Sequence, residues 1–175
     1  MVPVLTSEEA IGRQQEGGGQ PVPMAAMLDA WIEATLRELR ERAEQERLSF
    51  EARLQEAGRG RPRSAWGRIA VRIRDQRGER ATPGAFSIEW VSYRFGNGKS
   101  GPLYFSEYLR KGAGDRYPRS AFRGVVRDWQ RPLVEEAEDH FARLRHVARR
   151  VAEVRTQFRV AAKRLAQVQS EAADD

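Results

Sequence analysis

After Pro132 the apolar residues Ala137, Phe141, Leu144, Ala148, Val151, Phe158, Ala162, Leu165 and Ala172 recur at alternating spacings of four and three, broken at Arg155 and Gln169. That spacing puts them on one face of an α-helix, and a second row of Val147, Val154, Ala161 and Val168 widens the face. A helix over 132–172 is about 60 Å long at 1.5 Å per residue. One small globule cannot house it, so it requires a partner helix. Residues 24–58 supply a candidate. Ile32, Leu36, Leu39, Ala43, Phe50 and Ala57 repeat the spacing, interrupted at Glu46, and Gly58 and Gly60 stop the segment. Either the two segments run back along each other as a coiled-coil-like antiparallel hairpin, or the same helix of a second subunit takes the partner's place in a homodimer.

Between the arms, residues 59–131 change period. Ile69, Val71 and Ile73 alternate with Arg68, Arg72 and Arg74, and Phe86, Ile88 and Trp90 alternate with Ser87, Glu89, Val91 and Tyr93, the pattern of half-buried strands. Gly96-Asn97-Gly98-Lys99-Ser100-Gly101 marks a turn, after which Leu103, Tyr104 and Phe105 suggest a third strand. A three-stranded antiparallel meander needs one face covered. The cover expected is a short helix from Pro118 to Trp129 presenting Phe122, Val125, Val126 and Trp129. The expected fold is α+β: a basic sheet-plus-helix head at the tip of the long helix pair, with Trp66, Trp90, Phe105, Phe122 and Trp129 in its core. Residues 1–23, ending in Gly17-Gly18-Gly19-Gln20-Pro21-Val22-Pro23, are expected to be a disordered tail.

Charge is concentrated in that head. Fifteen of 28 arginines lie from Arg59 to Arg131, and with Lys99 and Lys111 they oppose six acids for a formal +11, while residues 1–58 carry −5 and 132–175 balance. A basic centre between acidic and neutral arms is the footprint of a polyanion binder, although a genome that prefers arginine to lysine also enriches it. Without cysteine, disulfides and thiolate metal sites are excluded. No window approaches the about eighteen apolar residues of a membrane span, and the first twenty residues lack the apolar stretch of a secretory signal, so a cytoplasmic protein is expected. His140 and His146 stand six apart and do not share a ligand face. No phosphate loop or nucleophile elbow appears. Tyr93, Tyr104, Tyr108 and Tyr117 lie in the basic head, but nothing resembles the histidine metal cluster that accompanies a DNA-attacking tyrosine. No enzyme, cofactor or metal is expected.

Arg68, Arg72 and Arg74 on one strand face sit about 6.6 Å apart at alternate positions, a spacing that reaches successive phosphates or base edges. Pairing with Glu89 across the sheet is the alternative. Arg59-Gly60-Arg61-Pro62-Arg63 resembles the AT-hook, an extended segment whose arginines lie in an A·T minor groove; a flexible basic linker is the other reading. Trp66-Gly67-Arg68-Ile69-Ala70-Val71-Arg72-Ile73-Arg74-Asp75 resembles the first strands of the AP2-type DNA-binding domain.

A broader resemblance runs over residues 64–165. It is carried by Trp66, Val71-Arg72-Ile73-Arg74, Ser87-Ile88-Glu89-Trp90, Phe95, Ser106-Glu107-Tyr108-Leu109-Arg110-Lys111-Gly112, Tyr117-Pro118, Phe122, Trp129 and Glu138 through Arg145. In their order these resemble the MobI-type conjugative transfer proteins, with the arm up to Gly58 outside the likeness. The resemblance implies a non-relaxase accessory of DNA transfer acting with a relaxase at the origin of transfer. Read with the charge, it makes Arg68, Arg72, Arg74, Arg94, Lys99, Arg110, Lys111, Arg116, Arg119 and Arg123 the expected contacts to double-stranded DNA, mainly to phosphates. The competing class is an adaptor that binds a protein partner through its helical arms.

Overall fold

The computed structural model describes residues 24–76, 78, 81–98 and 101–171; the proposed tail over 1–23, Lys99 and Ala172 lie outside them. The elements are α1 (Met24–Ala57), β1 (Ile69–Asp75), β2 (Phe86–Gly98), β3 (Gly101–Tyr108) and α2 (Arg131–Glu171). Single 3-10 turns lie at Arg63–Ala65, Arg119–Phe122 and Asp128–Gln130. The architecture is α+β: two helices and one antiparallel sheet in the order β1-β2-β3.

The helices pack side by side and antiparallel within one chain. Asp29 near the start of α1 binds Arg155 at 2.7 Å and Arg159 at 3.0 Å near the far end of α2, and Arg53 binds Glu136 at 2.6 Å at the opposite end. Ile32, Leu36, Leu39, Ala43 and Phe50 are buried as their spacing requires, facing Val134, Ala137, Phe141 and Val151. Two of the interruptions of the apolar rows are ion-paired. Glu46 binds Arg53 at 2.8 Å and His140 at 3.1 Å, and Arg155 binds Asp29. Three expectations are corrected. Leu54 and not Ala57 closes the α1 row. Val147, Val154 and Ala161 are exposed, because α1 covers a single row of α2. Beyond Phe158, Ala162 and Leu165 are exposed too.

The sheet lies along the side of the helix pair rather than at its tip. Ile69, Val71, Phe86, Ile88 and Trp90 point inward into the shared core, and Trp90, with no exposed surface, makes edge contacts with Phe50 of α1 at 5.3 Å and Phe141 of α2 at 5.9 Å. One aromatic thus touches both helices and fixes the sheet flank-on. Asp75 at the end of β1 binds Arg40 of α1 at 2.6 Å. Phe105, expected in the core, is 54% exposed. It lies beyond the end of β1, whose pairing with β2 stops at Ile69↔Ser92, so β2 and β3 continue past β1 as a two-stranded ribbon.

The short helix expected over 118–129 does not form. Gly124 adopts φ +79, a left-handed conformation that terminates a helix, and 3-10 turns flank it. The segment still covers the sheet: Phe122 meets Trp90 at 5.4 Å, and Trp129 meets Trp66 at 5.2 Å while donating to the Ala65 carbonyl at 2.9 Å. Among the described residues, no helix is long and apolar enough to cross a membrane.

Candidate nucleic-acid interface

The expected arginines divide by their partners. Arg72 faces Glu89 across the β1–β2 register, with nitrogen and oxygen 3.7 Å apart, and its guanidinium lies 4.4 Å over the Tyr108 ring. Arg74 donates to the Tyr108 hydroxyl at 2.5 Å. Arg94 pairs with Glu107 at 2.9 Å, Arg119 with Glu135 at 3.2 Å and Arg116 with Asp139, while Lys111 donates to the Gly114 carbonyl. Arg110 and Arg123 are exposed, and neither side chain has a partner among the described residues. The row expected from strand alternation is therefore drawn into cross-strand contacts, and the ten residues are not gathered into one surface.

The structure instead gathers arginines around Trp66. A cleft of about 830 Å³ between the end of α1 and the start of β1 is lined by Arg59, Arg61, Arg63 and Arg68. It adjoins a second of about 250 Å³ lined by Arg68, Arg94 and Arg127. The two share Trp66, Gly67, Arg68 and Tyr93, and no acidic residue lines either. All six arginines are exposed around a floor that includes Trp66, Gly67, Ile69, Ser92 and Val125. Arg59 makes an exposed pair with Glu56 at 2.6 Å, an interaction too weak in solvent to hold it from a phosphate. The side chains of Arg63 and Arg127 have no partner among the described residues.

Local folding explains the convergence. The Arg59–Arg63 segment is neither an extended hook nor a loose linker. Arg61 N–H donates to the Gly58 carbonyl at 3.0 Å and Ala65 N–H to Pro62 at 2.9 Å, and the Arg61 guanidinium lies 5.0 Å over Trp129. Gln130, fully buried, accepts from the N–H groups of Gly67 at 2.8 Å and Arg127 at 3.0 Å, tying two walls together through one side-chain oxygen. Gly67 permits the approach. A Cβ there meets the Gln130 oxygen at 2.2 Å and the Val125 carbonyl at 2.4 Å. Gly67→Ala is expected to destabilise the protein by about 1–3 kcal/mol through overpacking against backbone, read as a lower urea midpoint; an unchanged midpoint counts against the tight wall.

The arginines of 59–63 stand out in the sequence without figuring among the expected contacts, and sequence reasoning missed Arg127. Tyr117, weighed as a nucleophile, is buried under Trp90 and Arg145, and burial raises its phenol above the usual range. Both features disfavour a phenolate. Among the described residues, no group of three or more His, Asp or Glu could hold a metal ion.

A family model described as MobI protein matches residues 39–159. The match contains every residue of the cleft and begins inside α1, so the likeness extends into the arm placed outside it by the sequence motifs. No curated protein and no solved structure matches the chain.

Proposed function

This chain belongs to the MobI protein family, whose name points to conjugative mobilization, and from that premise we propose that it is a DNA-binding accessory of conjugative transfer. It acts at or near the origin of transfer beside a relaxase and performs no covalent chemistry of its own. The observation that carries this reading is the acid-free cleft ringed by Arg59, Arg61, Arg63, Arg68, Arg94 and Arg127. Arg59 and Arg94 keep only exposed ion pairs, with Glu56 and Glu107, too weak in solvent to hold them from a phosphate, and exposed guanidiniums can neutralise phosphates and release their counterions. Arg110 and Arg123, also exposed, are available for further backbone contacts that position rather than specify.

Titrating a fluorescent duplex across salt concentrations tests it. The parent protein is expected to show a steep linear fall of log affinity with log salt, and Arg63→Ala/Arg127→Ala to lower that slope by about 0.9 for each phosphate no longer neutralised. A salt-insensitive or undetectable interaction removes DNA binding from the reading. A second reading, the adaptor, is favoured by the other end of the helix pair. There Met27, Trp31, Val160 and Leu165 are exposed near the Asp29–Arg159 pair, an apolar surface of the kind protein partners cover.

A further inference from the structure

Resting on the DNA-binding reading, we infer that the cleft takes an unpaired DNA strand, with a base stacked on Tyr93. Cleft size comes first. About 830 Å³ falls within the roughly 300–1,000 Å³ of pockets that engulf a small ligand. That is the scale of one or two nucleotides, whereas a duplex presents a major groove alone about 12 Å wide and can lie only across the rim. The lining agrees. Proteins that hold single strands combine a positive groove along the backbone with aromatic faces for the bases, and this site has both.

Tyr93 is the available platform. It stands where the two adjoining clefts meet and is 38% exposed. Its backbone is held on both sides, by an N–H bond to the Arg68 carbonyl at 3.0 Å and by pairing with Ser106 of β3. Its side chain makes no hydrogen bond or ring contact among the described residues. The other aromatic lining the clefts, Trp66, is occupied. Trp66 is edge-on to Trp129 and closed in by Gly58, where even a Cβ meets its ring at 2.1 Å, and the Tyr108 face lies under Arg72. Arg63 and Arg127, on the walls of the two clefts, are the cations placed to take phosphates flanking a base on Tyr93.

Three labelled probes of equal length test the inference by fluorescence anisotropy: a 15-nucleotide oligodeoxythymidylate, a 15-unit abasic strand with the same phosphates, and a 15-base-pair duplex. The full chain is expected to bind the oligonucleotide about tenfold or more tighter than the abasic strand, the worth of stacking a base. Tyr93→Ala should bring that ratio close to one, and Tyr93→Phe, which keeps the ring, should preserve it. Equal affinity of the parent for both strands, or a preference that survives in folded Tyr93→Ala, overturns the inference. So does binding to the duplex alone, which leaves the proposed function standing. Failure to bind any of the three overturns both.

Discussion

Arg145→Met is expected to lower the stability of the fold by about 3–5 kcal/mol, the cost of leaving a buried carboxylate without its counter-charge. Glu138, 1% exposed, receives two bonds from the Arg145 guanidinium at 2.9 and 3.0 Å. The same carboxylate accepts from the Trp90 indole at 2.6 Å and the Tyr117 N–H at 2.7 Å. Arg145 in turn donates to the carbonyls of Ile88 at 3.0 Å and Asp115 at 2.7 Å. One ion pair on α2 therefore organises the central strand, the aromatic that spans both helices and the loop after β3. Methionine fills similar volume but returns no donor to the three acceptors. Adding Glu138→Gln to Arg145→Met is expected to recover part of the loss, because the buried charge is gone while an amide oxygen still serves Trp90. Urea denaturation of the two variants and their parent reads the difference. A loss under about 1 kcal/mol for Arg145→Met would mean that water reaches Glu138 and that the network is ornamental.

That network is not legible in the sequence, and the reason is general to this molecule. Features whose partners lie within one turn or one strand are readable: the four-three rows from Ile32 to Phe50, the alternation in β1 and β2, and the antiparallel pairing of β2 with β3. Features decided by tertiary placement are not. Trp90 reads as a core residue, but nothing local to it says that it meets both Phe50 and Phe141 and so lays the sheet along the helices. Gly124 breaks the expected short helix because one left-handed residue outweighs the apolar spacing of Phe122, Val126 and Trp129.

The candidate site shows the same division. Alternation correctly puts Arg72 and Arg74 on the face away from the core, yet it cannot give the register that brings Glu89 opposite Arg72 or Tyr108 within reach of both. Arg63 and Arg127 are distant in sequence and converge only because Trp66 packs on Trp129 and Gln130 binds Gly67. The tryptophans on either side of the sheet are the available signal, and by themselves they point only to core packing. The family, by contrast, is legible from the order of its motifs, since that order does not depend on knowing the contacts.

Reversing the charge of the cleft is expected to have the largest effect on function. Each neutralised phosphate contributes about 0.9 log units of affinity at 0.1 M salt, so forgoing two costs about 60-fold. Setting a carboxylate against each phosphate should take the loss to about 10³-fold. Arg63→Glu/Arg127→Glu does this without breaking any side-chain pair among the described residues, so thermal melting should stay near that of the parent. A control of equal charge separates place from net charge. Lys163→Glu/Arg164→Glu alters exposed residues of α2 just past the Asp29–Arg159 pair, whereas the cleft abuts the other end of α1. In a cell whose element lacks its own copy of the gene, the control is expected to restore transfer and the cleft variant to fail at equal protein level. Transfer restored by the cleft variant but not by the control would move the essential activity to the helix ends, where Trp31 and Leu165 are exposed, and would make the protein an adaptor.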